Sequence, residues 1–150
     1  RDVERSRGLG DVYKRQGFDT VECYRHVEHI VAKRQDVLLL ECMSNLLANE
    51  MYLEPDSNAG SDMAETMSPV SNKIVQALID LSTRVQELVI VTNDVFSDGG
   101  SLTYDESTRE YVKNLAEINC ALAREAATVT EVVCGIPVIV KKNHPMGKYG

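Results

Sequence analysis

Two continuous runs of apolar residues, each ending abruptly in polar residues, constrain this chain more than any other feature of its sequence. Val37–Leu40 is followed by Glu41, and Leu88–Val91 is followed by the polar residues 92–94. Runs of four aliphatic residues are typical of strands that a parallel sheet buries on both faces. Because longer amphipathic segments separate the runs, the sequence predicts an α/β domain with helices packed on a mostly parallel sheet.

Helical periodicity predicts three helices between and after these runs. Apolar residues recur at spacings of three and four over Ser71–Gln86 and over Asp105–Ala127, as they do on the buried stripe of an amphipathic helix. The segment Ser44–Met51 is also predicted to be helical. Between residues 54 and 72 the composition turns to Pro, Ser, Asn, Gly and Asp, which predicts a surface loop.

Further strands are predicted near both ends of the chain. Phe18–Glu22 is a short candidate strand. Val129–Cys134 and Val138–Lys141 are two β-branched runs joined by three residues, and this close joint predicts an antiparallel pair. We expect the pair at the edge of the sheet, where Pro137 is tolerated.

Composition and charge exclude several classes of function. The 150 residues carry a formal net charge of -7, which disfavours nucleic-acid binding because such binding relies on Lys and Arg neutralising phosphates. No apolar run approaches the roughly 20 residues needed to span a bilayer, and the N-terminus shows no signal-peptide pattern. We therefore expect a soluble, cytoplasmic protein. The four cysteines form no C-x-x-C pair, so no zinc or redox motif is indicated.

The opening residues Arg1–Gln16 differ from the rest of the chain. They show no helical or strand period, and Asp11–Gln16 resembles the conceptual translation of a transposon end used to prepare sequencing libraries. We therefore expect residues 1–16 to be a disordered, non-native leader. The predicted domain then spans residues 17–142, and residues 143–150 form a tail.

Polar residues at the predicted strand ends suggest where a ligand binds. Glu22, Glu41 and the pair Asn93 and Asp94 each close an apolar run. Ligands of open parallel sheets bind at the carboxyl ends of the strands, and an acidic residue there commonly holds magnesium near phosphates. A polar residue at a strand end is also an ordinary loop entrance. Together the three ends predict a nucleotide- or anion-binding crevice.

Other polar residues have two interpretations each. Asn119 falls on the inward side of the predicted long helix and should have a partner, either neighbouring backbone or a ligand. His26 and His29 lie three apart, and we interpret them as part of a solvated helix face because no third metal ligand of suitable spacing is evident. The chain contains no G-x-x-x-x-G-K-[ST] phosphate loop.

Several longer segments of the sequence together resemble a known protein family, and no single generic motif accounts for this resemblance. In their order and spacing, they are similar to the bifunctional adenosylcobinamide kinase/adenosylcobinamide-phosphate guanylyltransferase family of cobalamin biosynthesis. The resemblance covers about Gly17 to Lys141. The segments are Gly17–Cys23, Val37–Glu50, Val89–Gly99, Tyr104–Tyr111, Leu115–Asn119 and Val129–Val138.

The resemblance implies a P-loop NTPase or recombinase-like fold, a homotrimer and two reactions. Members phosphorylate adenosylcobinamide with GTP or ATP and Mg²⁺, and then transfer GMP from GTP to the phosphate through a guanylylated histidine, giving adenosylcobinamide-GDP. By position, Glu22 and Glu41 match residues that contact the guanine nucleotide, and Glu41 is the candidate magnesium ligand. Thr92, Asn93 and Asp94 match a strand-end segment of the site, in which Asp94 replaces the usual Glu.

The family's first strand, phosphate loop and GMP-accepting histidine have no counterpart in these residues and are expected upstream of Gly17. His26 and His29 follow Glu22 and do not take the nucleophile's place. The chain as written is therefore expected to be inactive. Two alternatives stay open: a non-catalytic nucleotide-binding or interaction domain, and an unrelated recombinase-like ATPase fragment. GTP and ATP are equal candidates for the phosphate donor.

Overall fold

The structure, a computed structural model, describes residues 17–53, 67–94 and 104–143. The proposed leader 1–16, most of the predicted loop after residue 53 and most of the tail lie outside the described residues. The described elements, in chain order, are a 3₁₀ helix Val27–His29, strand β1 Val37–Glu41, helices α1 Met43–Tyr52 and α2 Pro69–Arg84, strand β2 Glu87–Val91, helix α3 Glu106–Glu125, and strands β3 Thr128–Val133 and β4 Ile136–Lys142.

The two apolar runs form a parallel pair, as predicted. β1 and β2 align from Val37 opposite Glu87 to Glu41 opposite Val91, so both strands end at the same level. The predicted strand over Phe18–Glu22 is wrong, because this segment is irregular. A strand needs a neighbour to complete its ladder of hydrogen bonds, and in the described residues β1 pairs with β2.

The parallel pair packs on helices with one face. Leu38, Leu40, Leu88 and Ile90 are partly buried. Of these, Leu40, Leu88 and Ile90 pack against the core. On the other face, four apolar side chains are 41 to 56% exposed: Val37, Leu39, Val89 and Val91. The expectation of burial on both faces is therefore wrong within the described residues, because the described helices cover only one face.

The three predicted helices are confirmed, and their apolar stripes form the core. α2 begins two residues earlier than predicted, because Ser68 caps it by accepting a hydrogen bond from the backbone N–H of Ser71, and Pro69 occupies its first turn. α3 begins after Asp105, which accepts a bond from the Thr108 N–H. The most deeply buried apolar residues of the helices are Met43, Leu47, Ile74, Leu78, Leu81, Leu115 and Ile118.

A buried polar cluster joins the start of α2 to the middle of α3. Asn114, 1% exposed, accepts hydrogen bonds at its Oδ1 from Ser68 Oγ at 2.6 Å and Ser71 Oγ at 3.2 Å. Its amide nitrogen lies 3.5 Å from the Met51 sulfur. Since buried polar groups are stable only when they are paired, these bonds fix the register of the two helices.

The C-terminal strands form the predicted antiparallel pair. β3 and β4 make a two-stranded sheet separate from the parallel one, so their expected place at its edge is wrong. The two-residue turn has positive φ at Cys134 (50°) and Gly135 (81°), a geometry that matches the right-handed twist of the strands. None of the described helices combines the length and apolar character needed to cross a bilayer.

Candidate functional site

The carboxyl ends of β1 and β2 bring two of the three predicted strand ends together. Glu41 is the last residue of β1 and lies opposite Val91, so residues 92–94 leave the sheet beside Glu41. All four of these polar residues are exposed. The location agrees with the general position of ligand sites in open parallel sheets.

The first turn of α1 borders the same edge. α1 begins at Met43, directly after Cys42, and no side chain caps its N-terminus. The Ser44 hydroxyl lies 2.9 Å from the Cys42 sulfur and accepts a 3.2 Å hydrogen bond from the Asn93 amide. Since a helix N-terminus carries a partial positive charge and N–H groups without intrahelical partners, this edge favours anions.

Asn119 of α3 holds the segment that follows β2. The Thr92 hydroxyl donates to Asn119 Oδ1 at 2.7 Å, and Asn119 Nδ2 donates to the Asn93 backbone carbonyl at 3.4 Å. Both ends of the amide are thus engaged with residues 92 and 93. In this structure Asn119 positions residues 92 and 93. Its bond to the Asn93 carbonyl is the contact with neighbouring backbone that was one of the two interpretations of this residue.

Tyr111 links α3 to the first turn of α1. Its hydroxyl donates to the Ser44 backbone carbonyl at 3.2 Å, and partial burial raises the pKa of Tyr111. Sequence reasoning did not identify Ser44 or Tyr111 as part of this region. Ser44 was recognisable as the first-turn residue of a helix that starts just after a strand end. The contact of Tyr111 depends on helix packing and had no local signal. We call Glu41, Ser44, Thr92, Asn93, Asp94 and Asn119 the strand-end group.

Glu22 lies in the irregular segment before the 3₁₀ helix. It accepts a 2.9 Å hydrogen bond from the Tyr24 hydroxyl, and this bond raises the pKa of Tyr24. The segment ends at His26, whose backbone N–H donates to Glu50 at 2.7 Å. Glu50 belongs to the second half of α1, whereas Glu41 ends β1 two residues before that helix begins. Glu22 therefore belongs to a different structural element from the strand-end group.

His26 precedes a single 3₁₀ turn, and His29 is the last residue of that turn. Their rings stack with centroids 5.7 Å apart, and His26 Nδ1 lies 3.0 Å from Glu28 Oε1. Burial opposes ionisation of Glu28, but hydrogen bonds from its own backbone N–H and from His26 outweigh burial and lower its pKa. A ring nitrogen of each histidine and a carboxylate oxygen of Glu28 lie within 4.8 Å of one another, so the structure brings a third possible metal ligand beside the two histidines.

One comparison with known proteins gives a match. The family model described as cobinamide kinase / cobinamide phosphate guanyltransferase matches residues 12–140. This range contains strands β1 and β2, helices α1, α2 and α3, and the complete strand-end group. A search of curated proteins found no match.

Proposed function

The chain belongs to the cobinamide kinase / cobinamide phosphate guanyltransferase family. We propose that its strand-end group holds the phosphates of a guanine nucleotide during the phosphoryl transfer and the GMP transfer that these names describe. The family implies a transferase of cobalamin biosynthesis that uses cobinamide and nucleotide substrates. The finer proposal is phosphorylation of adenosylcobinamide by GTP or ATP, followed by GMP transfer from GTP to give adenosylcobinamide-GDP. We propose further that the protein has a P-loop NTPase-like fold and acts as a cytoplasmic homotrimer.

The observation that carries the proposal is the meeting of two strand ends and a helix N-terminus. Glu41 and residues 92–94 leave adjacent parallel strands, and the uncapped first turn of α1 lies against Asn93 through Ser44. Backbone N–H groups at such a turn stabilise phosphate oxygens. Hydroxyl and amide groups beside them provide further polar contacts, so the edge combines features that a nucleotide phosphate chain requires.

The donor set at this edge fits a magnesium ion. Mg²⁺ is usually held by one or two carboxylates and completes its octahedron with phosphate oxygens and water. Glu41 presents an exposed carboxylate, and among the described residues it belongs to no cluster of three or more acidic, His or Cys ligands. Glu41 would therefore be the principal protein ligand. When bound, the ion would neutralise charge on the transferred phosphoryl group.

The neighbouring residues would keep this geometry in place. Asn119 fixes Thr92 and Asn93, and Tyr111 fixes the first turn of α1 through the Ser44 carbonyl. Such preorganisation lowers the cost of binding, because the polar groups need not rearrange. We assign Glu22 a contact with the guanine base, since an ionised carboxylate is a pure acceptor and the guanine edge offers N–H donors.

We propose that these 150 residues alone do not complete either reaction. They contain no G-x-x-x-x-G-K-[ST] phosphate loop, whose backbone and Lys provide most of the charge stabilisation in P-loop phosphoryl transfer. By the family resemblance, none of these residues takes the place of the GMP-accepting histidine. Nucleotide binding by the polypeptide should be weak, and turnover should be undetectable.

A fluorescent GTP analogue tests the binding role of Glu41. The chain is titrated with the analogue and excess Mg²⁺, beside Glu41→Gln and the control Glu87→Gln, which changes an exposed carboxylate at the opposite end of the parallel pair. Loss of one charge-dependent contact should weaken binding by about tenfold in Glu41→Gln. The control should match the wild type. Equal affinities for all three proteins would contradict the proposal.

A second titration distinguishes the family's substrate from the alternatives. Adenosylcobinamide is added to the nucleotide-loaded chain, and its binding is followed by calorimetry, while radiolabelled GTP reports any covalent GMP. We expect measurable adenosylcobinamide binding without a labelled protein. Nucleotide binding with no affinity for adenosylcobinamide would favour a non-catalytic nucleotide-binding domain or an unrelated ATPase fragment.

A further inference from the structure

We propose that His26, Glu28 and His29 form a binding site for one divalent transition-metal ion of the zinc class. One metal-ligating atom from each of the three side chains lies within 4.8 Å of the others. His26 and Glu28 are partly buried, and His29 is exposed. None of the three belongs to the strand-end group, so the site is separate from the proposed nucleotide site.

The 3₁₀ turn explains why the ligands converge. His26 is the left-handed N-cap of the turn and His29 is its last residue, and the His29 N–H donates to the His26 carbonyl at 3.0 Å, which closes the turn and brings the two residues together. The rings stack with an interplanar angle of 26°, and Glu28 Oε1 approaches His26 Nδ1 to 3.0 Å. Zinc bonds of about 2.0–2.2 Å place neighbouring tetrahedral ligand atoms roughly 3.3–3.6 Å apart, so modest side-chain rotations complete the site.

The backbone of this turn is fixed by contacts that do not involve the metal ligands' side chains. Val27 is 2% exposed and anchors the turn in the core. The His26 N–H donates to Glu50 at 2.7 Å, and the His29 N–H donates to the His26 carbonyl at 3.0 Å. Arg84 donates to the Glu28 carbonyl at 3.2 Å. Binding therefore orders side chains only, which favours affinity.

The ligand chemistry selects the class of metal. Two imidazole nitrogens and one carboxylate oxygen suit Zn²⁺, Co²⁺, Ni²⁺ and Cu²⁺, whereas Mg²⁺ and Ca²⁺ prefer oxygen ligands. Three protein ligands leave a coordination position for water. The nearby thiol of Cys23 donates to the Arg25 carbonyl at 3.1 Å, so it is directed to the backbone and is not counted as a fourth ligand.

Cobalt absorption and zinc calorimetry test the site on the full 150-residue chain after chelator treatment. We expect one ion per chain and at least tenfold weaker binding in His26→Asn, Glu28→Gln and His29→Gln. Asn is chosen for position 26 because it tolerates the left-handed backbone there, at φ 58°. His144→Gln is the matched control, because His144 is the chain's third histidine, and its affinity should equal that of the wild type.

Thermal unfolding without metal shows whether each variant still folds. If His26→Asn lowers stability, His29→Gln decides the question, because the His29 side chain is exposed. Unchanged affinity in His29→Gln and Glu28→Gln would overturn the proposal. Loss of binding in Cys23→Ser, with a sulfur-to-cobalt charge-transfer band in the wild type and unchanged histidine variants, would also overturn it and assign the ion to a thiolate.

Discussion

Asn119 in α3 accepts a 2.7 Å hydrogen bond from the Thr92 hydroxyl, which lies just beyond the end of β2. The same amide donates to the Asn93 carbonyl. One side chain of the longest described helix thus determines the path of the chain where it leaves the parallel sheet. Since Asn93 also bonds Ser44, the influence of Asn119 extends to the first turn of α1.

Asn119→Ala should weaken nucleotide binding more than it weakens the fold. Removal of the two hydrogen bonds should lower the free energy of unfolding by about 1 kcal/mol, since Asn119 is only partly buried. The freed 92–94 segment should weaken binding of the GTP analogue severalfold, as measured by the titration described above. Cys120→Ala, an exposed neighbour on α3, is the control. Unaltered nucleotide affinity in Asn119→Ala would show that the segment keeps its path without this contact.

The helices and strands that the sequence predicted well are those determined by a local pattern of apolar residues. The apolar runs gave β1 and β2, and periodicity gave α1, α2 and α3 to within two residues at each end. The strand over Phe18–Glu22 and the placement of the C-terminal pair were wrong for one reason. Both depend on which strands pair over long distances, and an isolated β-branched or apolar run carries no information about its partner.

The residues of the candidate site also divide into those that a local sequence pattern predicts and those that depend on long-range packing. Glu41 and residues 92–94 were found because a strand end has a sequence signature. Tyr111 was not found, because its bond to the Ser44 carbonyl spans 67 positions and depends on how α1 and α3 pack. Glu28 was missed as a candidate third ligand, because the spacing argument assumed an ordinary helix. The 3₁₀ turn places it beside His26 instead.

Asn114→Leu should destabilise the protein strongly. Leu has the branching of Asn but a larger volume and accepts no hydrogen bond, so the Ser68 and Ser71 hydroxyls lose the side-chain oxygen to which both donate. The Asn114 backbone carbonyl remains as an acceptor for Ser71, and the Ser71 hydroxyl remains for Ser68. Each lost hydrogen bond costs about 1 kcal/mol, and overpacking by the larger side chain costs about 1–3 kcal/mol, so urea unfolding should show a loss of about 3 kcal/mol. Asn45→Leu, on the exposed side of α1, should change stability by less than about 0.5 kcal/mol. A loss below about 1 kcal/mol in Asn114→Leu would mean that the remaining acceptors satisfy both serines and that the core accommodates the larger side chain.

Asp105 should give the fold an acid-sensitive contribution to stability. The Thr108 backbone N–H donates to Asp105 at 2.8 Å and, with further hydrogen bonds, lowers the pKa of Asp105 below its ordinary value of 3.8. A lowered pKa in the folded state means that this stabilisation is fully present above pH 3.8 and is lost as the pH falls through the folded value.

Asp105→Ala should therefore unfold at a lower temperature than the wild type at neutral pH, and the gap should narrow as the pH falls below 3.8. Thermal unfolding followed by circular dichroism across the acid range measures this. Glu106→Ala, the exposed next residue, is the control for loss of a carboxylate in the first turn. A gap of constant size down to the most acidic pH would show that the cap acts independently of its charge.

The turn between β3 and β4 should be improved by one substitution and damaged by another. Both central residues have positive φ, at Cys134 and Gly135, and hairpin turns of this kind favour Asn followed by Gly. Cys134→Asn should stabilise the hairpin by about 0.5 kcal/mol. Gly135→Ala should destabilise it by about 1–2 kcal/mol through backbone strain alone, because an added Cβ would meet no atom within 4 Å.

The effects of these substitutions should be confined to the hairpin, because β3 and β4 pair only with each other among the described strands. Amide hydrogen exchange of Glu131 and Val138, which lie opposite each other in the strand pair, reports opening of the hairpin. Exchange there should slow in Cys134→Asn and accelerate in Gly135→Ala. Cys134→Ser is the control, because it removes the thiol without the preference of Asn for a left-handed backbone, and its exchange should stay close to that of the wild type. Equal exchange in Gly135→Ala and the wild type would mean that the turn does not keep its positive-φ geometry in solution.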